Sequence, residues 1–406
     1  MDAPAPGPPT HPAVGRGLGA FAARGRDDFA AAHWGRAPLL SRAAELPGIP
    51  HRFGADAVDE LLARRALRTP FLRMARDGAT VDPREFTLGG GVGAAVGDQV
   101  SEDRVLRLFA DGASIVLQGL HRAWAPVQAV GQDLASDLGH PVQVNAYVTP
   151  PQSRGFDDHY DVHDVFVVQV EGEKHWQVRP PVLEAPLRNQ PWTDRGEQVR
   201  AAAAADPAID AVLRPGDVLY LPRGWLHSAT ALGGTSIHLT FGVHVWTLRH
   251  LAEDLVQAAT RHLDADREVR ASLPVGVDPL GRDTTAAART LVRKAVERAL
   301  DEVTDDELAG ALARRVRSAQ RAEPLDVLAQ HSALMSDVPT GWRPRAHLAA
   351  RWEGEVLVTR AGRATVTDPR ERAAVDEVLA RRSPAGALAA ETLRALVLAG
   401  ALVADD

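Results

Sequence analysis

His159, Asp161 and His227 are the residues of this chain from which chemistry can be read. The first two stand in His159-Tyr160-Asp161, and the third closes Pro222-Arg223-Gly224-Trp225-Leu226-His227. Two imidazoles and one carboxylate can occupy one face of a metal ion and leave the opposite face open. That set suits Fe(II), whose open positions take a co-substrate and O2. The H-x-D spacing has a physical reason. On an extended strand residues i and i+2 point to the same side, so both side chains can reach one ion. An isolated H-x-D is common, and its plain alternative is a polar pair on a loop beside a strand.

The surroundings favour the metal. Val162 to Val170 is β-branched and aromatic and reads as a buried strand. Glu171-Gly172-Glu173-Lys174 reads as a hairpin turn with glycine first at its centre, and Lys174 to Val178 as the returning strand. Arg214-Pro215-Gly216-Asp217 is a turn leading into Val218 to Leu221, then to His227. Other histidines compete for the metal. His163 has suitable strand parity, His175 has the parity opposite to Lys174, and His238, within Ser236 to Thr240, is the rival to His227.

The runs HYDVHDVFVVQVEGEKHWQV and LRPGDVLYLPRGWLHSA, with Asn145 to Pro151 upstream, resemble the JmjC-type ribosomal oxygenases. The resemblance extends from about Phe29 to the C-terminus and is strongest from Val144 to Thr240. It implies a cupin-like jelly roll, Fe(II) held by His159, Asp161 and His227, and 2-oxoglutarate and O2 as co-substrates. By the same resemblance Lys174 meets the far carboxylate of 2-oxoglutarate, and Asn145, Tyr147 and Thr240 line its pocket. An ammonium, an amide and a hydroxyl can each donate to a carboxylate. A two-residue turn at Gly172-Glu173 also places Lys174 on the sheet face shared by Gln169 and, by parity, Asp161 and His159. A straight strand would carry Lys174 too far away, so the chain must bend.

Composition bounds the alternatives. The chain has 406 residues, 45% of them hydrophobic and 24% charged, as in a globular protein with a sizeable core. There is no cysteine, which excludes disulfides, thiolate metal sites and a cysteine nucleophile. The net charge of −7 does not suit a general polyanion binder. The Pro-rich start lacks the basic and apolar regions of a signal peptide and reads as a disordered tail over 1–22. No stretch has the apolar length of a membrane span, and a cytoplasmic location is expected.

The expected fold is α+β, a double-stranded β-helix over 23–246 followed by two added units. Short helices are expected at Asp27 to Trp34 and Asp56 to Leu67, and a loop rather than a phosphate site at Gly89 to Gly93. Val105 to Phe109 is strand-like, as are Ser114 to Leu117, Val142 to Val148 and Ser236 to Val245, with a helix over Trp124 to Leu138. Many short strands with Gly and Pro turns argue for a jelly roll. After Trp246 come amphipathic helices at Leu248 to Leu263, Asp283 to Leu300 and, behind a Thr304–Glu307 capping box, through Arg317. The resemblance makes 247–322 a dimerisation unit and 323–406 a winged-helix-like unit. From 341 to 406 there are ten Lys/Arg against nine Asp/Glu, so charge does not support nucleic-acid binding there.

The function expected is hydroxylation of a protein side chain, an Arg or His of a ribosomal protein. The competing readings are a 2-oxoglutarate-dependent hydroxylase of a small molecule or peptide, and a metal cupin that is not an oxygenase.

Overall fold

A computed structural model of the chain describes residues 17–405, apart from 50, 77, 155, 274, 277–281 and 337–340. They form two compact units that divide between Val245 and Trp246. Among the described residues no helix is long and apolar enough to cross a membrane.

The first unit contains, in chain order, α1 (Arg26–Ala32), β1 (Leu39–Ser41), α2 (Ala55–Arg64), β2 (Leu72–Arg76), β3 (Ala79–Thr80), α3 (Glu102–Ala110), β4 (Ser114–Leu117), α4 (Ala125–Leu138), β5 (Val142–Thr149), β6 (Asp164–Arg179), β7 (Ile209–Leu213), β8 (Val218–Leu221) and β9 (Leu226–Val243). The strands make one antiparallel sheet in the order β1-β8-β6-β9-β5-β4-β2-β3, with β7 also paired to β6.

The two long strands curl this sheet. Asp164 to Gln169 of β6 pairs with His238 to Val243 of β9, and Glu173 to Arg179 pairs with Leu226 to Leu232. Between the two ladders the register shifts. β8 flanks the first half of β6 and β7 the second. Each long strand therefore serves two limbs, as in a jelly roll.

The hairpin expected at Glu171 to Lys174 is not formed. β6 runs through these residues as one strand, kinked at Gly172. Gly172 has φ +64, and a Cβ there would lie 2.3 Å from the Thr235 carbonyl oxygen, so both conformation and space require glycine. Gln169, buried beside the kink, donates from Nε2 to the carbonyls of Glu171 (2.8 Å) and Gly172 (3.2 Å) and to Ser236 Oγ (2.8 Å). The kink changes the phase of the strand. Val165 and Val167 pack in one apolar cluster with Trp176 and Val178, while Phe166 and Val168 join the larger core on the other face. Odd positions thus point inward before Gly172 and even positions after it.

The larger core lies against the opposite face of the sheet. Val127, Val130 and Leu134 of α4 meet Val144, Phe166, Leu239 and Phe241 there. Of the tail expected over 1–22, only residues 17–22 are among the described ones. Residues 1–16 lie outside the described ones, but Leu18 and Phe21 are buried, and the Phe21 ring sits 4.8 Å from Phe241 and 5.4 Å from Phe166. Burying one such ring stabilises by about 1.5–3 kcal/mol, which offsets part of the cost of ordering the segment that carries it.

Val105 to Phe109 is part of a helix, α3, not a strand. Val105 is buried, and Leu108 and Phe109 pack on the core from the same side, at helical spacing. Ser101-Glu102-Asp103 ahead of them is a helix start with acidic residues at the positive end of the dipole.

The second unit opens with α5 (Leu248–Ala265), α6 (Arg282–Glu302) and α7 (Asp305–Ala319). Ala258, Ala259, Ala295, Ala299 and Ala311 are buried, letting these helices approach closely. Buried Asp254 of α5 accepts two bonds from Arg315 Nε of α7, at 2.7 and 2.9 Å. Thr304 and Glu307 form the expected capping box. A further helix, α8 (Val327–Met335), precedes a three-stranded antiparallel sheet of Arg351–Glu353, Val356–Val358 and Arg363–Thr365. Helices α9 (Pro369–Leu379) and α10 (Ala390–Leu398) follow, and Trp342–Pro344 pairs with Leu402–Ala404. Residues 247–322 and 323–406, expected as separate domains, lie within this one unit.

Candidate metal and co-substrate site

His227 is the second residue of β9, and His159 lies on the segment before β6. The H-x-D pair is therefore not on a ladder strand, as its spacing suggested. His159 instead forms an isolated bridge with His227. The His227 N–H donates to the His159 carbonyl at 2.9 Å, and the His159 N–H to the His227 carbonyl at 3.2 Å. The Gly224 N–H donates to the Asp161 carbonyl at 3.0 Å, which ties the Pro-Arg-Gly turn to the H-x-D segment. Gly224 has φ +90, and a Cβ there would lie 2.4 Å from the Leu183 carbonyl oxygen.

One ligating atom from each of His159, Asp161 and His227 lies within 4.8 Å of the others. The two imidazole centroids are 4.4 Å apart, and His227 Nε2 is 3.8 Å from Asp161 Oδ2. Each Nδ1 faces the carbonyl two residues earlier, His159 to Asp157 at 2.7 Å and His227 to Trp225 at 3.0 Å. A carbonyl oxygen only accepts, so each Nδ1 carries a proton and each Nε2 is the ring atom left for a metal. Burial, reinforced by the neighbouring His159, pushes the His227 pKa down to about 4, which keeps the ring neutral. Burial works to raise the Asp161 pKa, but His163, His227, His159 and Arg73 outweigh it and hold the carboxyl below its ordinary range. Two imidazoles and one carboxylate fit a divalent ion such as Fe(II) and fill only part of its coordination sphere.

These atoms open onto a cavity of ≈ 270 Å³ between the limbs of the curled sheet. Lys174 lines it from β6 and is only 4% exposed. The ammonium donates to Thr149 Oγ1 at 2.9 Å, and no ion pair of Lys174 appears among the described residues. Burial lowers its pKa to about 7. A buried amine without a carboxylate fits an anionic ligand entering the cavity. Tyr147 and Thr240 also line the cavity, and burial, then the charge of Asp161, raises the Tyr147 pKa to about 12.

Asn145 behaves differently from its expected role. It does not line the cavity, and its Oδ1 accepts the Gly119 N–H at 3.1 Å. Thr149, on the same strand and of the same parity, occupies the position beside Lys174 instead. That parity and the hydroxyl were readable signals.

His238 lies inside the cavity, stacked on Tyr147 at 4.9 Å and edge-on to Trp176 at 5.5 Å. Burial, aided by Lys174, pushes its pKa well down, and its Nδ1 has no hydrogen-bond partner among the described residues. It is not part of the convergent trio. His163 lies 5.1 Å from His244, and His175 pairs with Asp210; neither lines the cavity.

The sequence also offered little warning of Arg73, Phe156, Trp176 and Trp192, all in the cavity wall. Arg73 arrives from β2 along the row Arg73–Val116–Tyr147–His238, which is in register across four strands. Its Nε has no hydrogen-bond partner among the described residues. Phe156 and Trp192 stand 5.9 and 6.4 Å from the His159 ring, and Trp176 6.0 Å from His227, so aromatic surface surrounds the trio.

Comparison with known proteins agrees with this architecture. Residues 125–251 match the family profile of the JmjC domain. The chain is 28% identical to ribosomal oxygenase 1 of Gallus gallus over 291 residues, 69% of this chain and 46% of that protein. It is 36% identical over 139 residues to the bifunctional lysine-specific demethylase and histidyl-hydroxylase NO66 of Drosophila persimilis, 34% of this chain and 19% of that protein. The chain thus spans less than half the length of these curated relatives. In fold it is similar to the Escherichia coli ribosomal oxygenase YcfD, with a TM-score of 0.57 at 15% identity, covering 94% of this chain and 98% of that one. YcfD has also been solved with cobalt and 2-oxoglutarate. In family profile, in relatives and in fold the chain is similar to the JmjC-type ribosomal oxygenases, and residues 125–251 match the JmjC domain.

Proposed function

We propose that the chain is an Fe(II)- and 2-oxoglutarate-dependent oxygenase that hydroxylates a side chain of a ribosomal protein, an Arg or a His. The observation that carries the reading is one cavity with a two-histidine, one-carboxylate trio and a buried amine that has no acidic partner among the described residues. His159, Asp161 and His227 would hold the iron, with their Nδ1 bonds to backbone keeping both imidazoles in the ligating tautomer. The iron, with 2-oxoglutarate and O2, supplies the oxidising power to hydroxylate an unactivated C–H bond.

The protein's own residues bind and orient. Lys174 and Thr149 would take the far carboxylate of 2-oxoglutarate, with Tyr147 and Thr240 beside it. Trp176, Phe156 and Trp192 exclude water from the metal's neighbourhood and strengthen each polar contact there. A ribosomal substrate is supported by the relatives described as ribosomal oxygenases and by the net charge of −7, which favours encounter with basic proteins. Such a substrate goes with a cytoplasmic site of action. We assign the helices of 247–322 to a homodimer contact and 323–406 to a winged-helix-like unit that widens the surface for a macromolecule.

The test incubates the iron-loaded protein, 2-oxoglutarate and O2 with ribosomal proteins and, separately, with free amino acids and short peptides. One added oxygen on a ribosomal protein, absent with His159→Ala, is the expected mass-spectrometric result. Oxygen added only to the small molecules would replace this reading with that of a small-molecule hydroxylase.

A further inference from the structure

We propose that Asp158 is a positioning residue for the metal: its carboxylate holds the two histidine-bearing segments in the relation that lets His159 and His227 share one ion. This rests on the metal-site reading of His159, Asp161 and His227.

Asp158 precedes His159 in the chain, and its side chain gathers three partners from three different segments. Oδ1 accepts from Arg179 Nη1 at 3.0 Å and from Ser228 Oγ at 3.0 Å. Oδ2 accepts from Arg154 Nη2 at 2.6 Å. Ser228 is the residue after His227, so one carboxylate connects the immediate neighbours of both histidines. Arg179 is the last residue of β6 and pairs with Leu226, the residue before His227. Its side chain is itself anchored, with Nε donating to the Ala205 carbonyl at 2.7 Å. Arg179 and Ser228 are each 7% exposed, so these bonds compete little with water.

The backbone explains why such a connection is needed. The segment before β6 touches β9 at Arg154–Thr230 and again at His159–His227. Between those bridges lie residues 155–158 on one side and only 228 and 229 on the other. The two sides are unequal in length, and such a mismatch leaves the longer side short of ladder bonds. A single bridge at His159 sets its distance from His227 but does not stop the segment from rotating about that contact. Asp158 lies directly before His159, and its bonds to β9 and to the end of β6 oppose that rotation. Supporting groups of this kind typically change metal affinity by about 10–100-fold.

The test titrates the metal-free full-length protein with Co(II) alone, followed by calorimetry and by the visible absorption of bound Co(II). Thermal unfolding of each metal-free variant is measured alongside. The expected result is one Co(II) bound by wild type and none at this site by His159→Ala. Asp158→Ala should raise the Co(II) Kd about 10–100-fold and alter the absorption band, because the ligands are no longer held in one geometry. Asp158→Asn keeps the shape and an acceptor for Ser228 but loses the charge, and should fall between. Ser228→Ala removes one bond and should weaken binding less than Asp158→Ala does. A Co(II) Kd within about twofold of wild type, with an unchanged band, overturns the proposal. So does a lowered unfolding midpoint without a change in Kd, which would make Asp158 a fold contact only. If Asp158→Ala does not fold, unchanged Kd values in Asp158→Asn and Ser228→Ala overturn it equally. Absence of Co(II) binding by wild type, or its persistence in His159→Ala, defeats the metal-site reading itself and this proposal with it.

Discussion

His159 and His227 are joined by two reciprocal backbone hydrogen bonds, of 2.9 and 3.2 Å, with their rings 4.4 Å apart. Residues far apart in the chain thereby act as neighbours across one isolated bridge. Replacing His159, Asp161 or His227 by Ala should each abolish Fe(II)-dependent decarboxylation of 2-oxoglutarate while leaving the unfolding midpoint close to wild type. His238→Ala should retain measurable turnover, because His238 lies in the cavity but outside the trio. A dead His238→Ala beside an active His227→Ala would show that the third ligand has been misassigned.

Lys174→Ala should raise the concentration of 2-oxoglutarate needed for half-saturation about 10–100-fold, the worth of a charge-assisted hydrogen bond of about 1.5–3 kcal/mol. Metal affinity should change little. An unaltered requirement for 2-oxoglutarate removes Lys174 from the co-substrate site.

The same lysine predicts a pH dependence. Its pKa in the ligand-free fold is about 7, lowered by burial, so the ammonium is largely present below that pH and is lost above it. A bound carboxylate favours the ammonium form. Affinity for 2-oxoglutarate should therefore weaken as pH rises above about 7, by up to about tenfold per pH unit. Calorimetry with Mn(II) in place of iron measures this directly, and a flat profile contradicts it. Stability of the ligand-free protein runs the other way. Between about 7 and the ordinary lysine value of 10.5 the unfolded chain binds the proton and the folded one does not, so stability rises with pH across that window. Lys174→Met should flatten that rise.

Gly172→Val places a side chain at φ +64 and 2.3 Å from the Thr235 carbonyl. Left-handed backbone alone costs about 1–3 kcal/mol for a non-glycine residue. The variant should unfold at lower temperature and lose more affinity for 2-oxoglutarate than for metal, since Lys174 lies just beyond the kink. Thermal unfolding and two ligand titrations check this, and wild-type behaviour in all three rejects the role given to the kink.

The helices of the second unit leave apolar side chains exposed, Leu248 and Val256 on α5 and Leu291 and Val292 on α6. A homodimer through 248–317 would cover such side chains. Light scattering should give twice the chain mass at micromolar concentration, and Val256→Asp with Leu291→Asp should shift it toward the monomer. A monomeric wild type rejects the assignment.

The H-x-D pair and most elements were legible because they depend on local order. His159-Tyr160-Asp161 carries its own spacing, Val142 to Val148 alternates at period two, and Thr304 to Glu307 names its helix start. Val105 to Phe109 misled because a short apolar run suits helix and strand alike, and the preceding Ser-Glu-Asp was the signal that separates them. Phe21 looked like part of a tail because its partners, Phe166 and Phe241, are remote in the chain.

By itself the sequence determined which groups could bind a metal and that a glycine at 172 would break a strand. It did not determine how that strand would break. A positive φ at Gly172 serves a hairpin turn and a kink equally well, and the choice rests with β9, whose two ladders hold both halves of β6. Hairpin and kink alike move the inward face from odd to even positions, and it is the kink that leaves Lys174 in the wall of the cavity. Likewise Asn145, Tyr147 and Thr149 share a parity, but only the packed fold assigned Asn145 to the Gly119 backbone and Thr149 to Lys174. Parity is a property of one strand, whereas distance to a partner is set by every strand that curls the sheet.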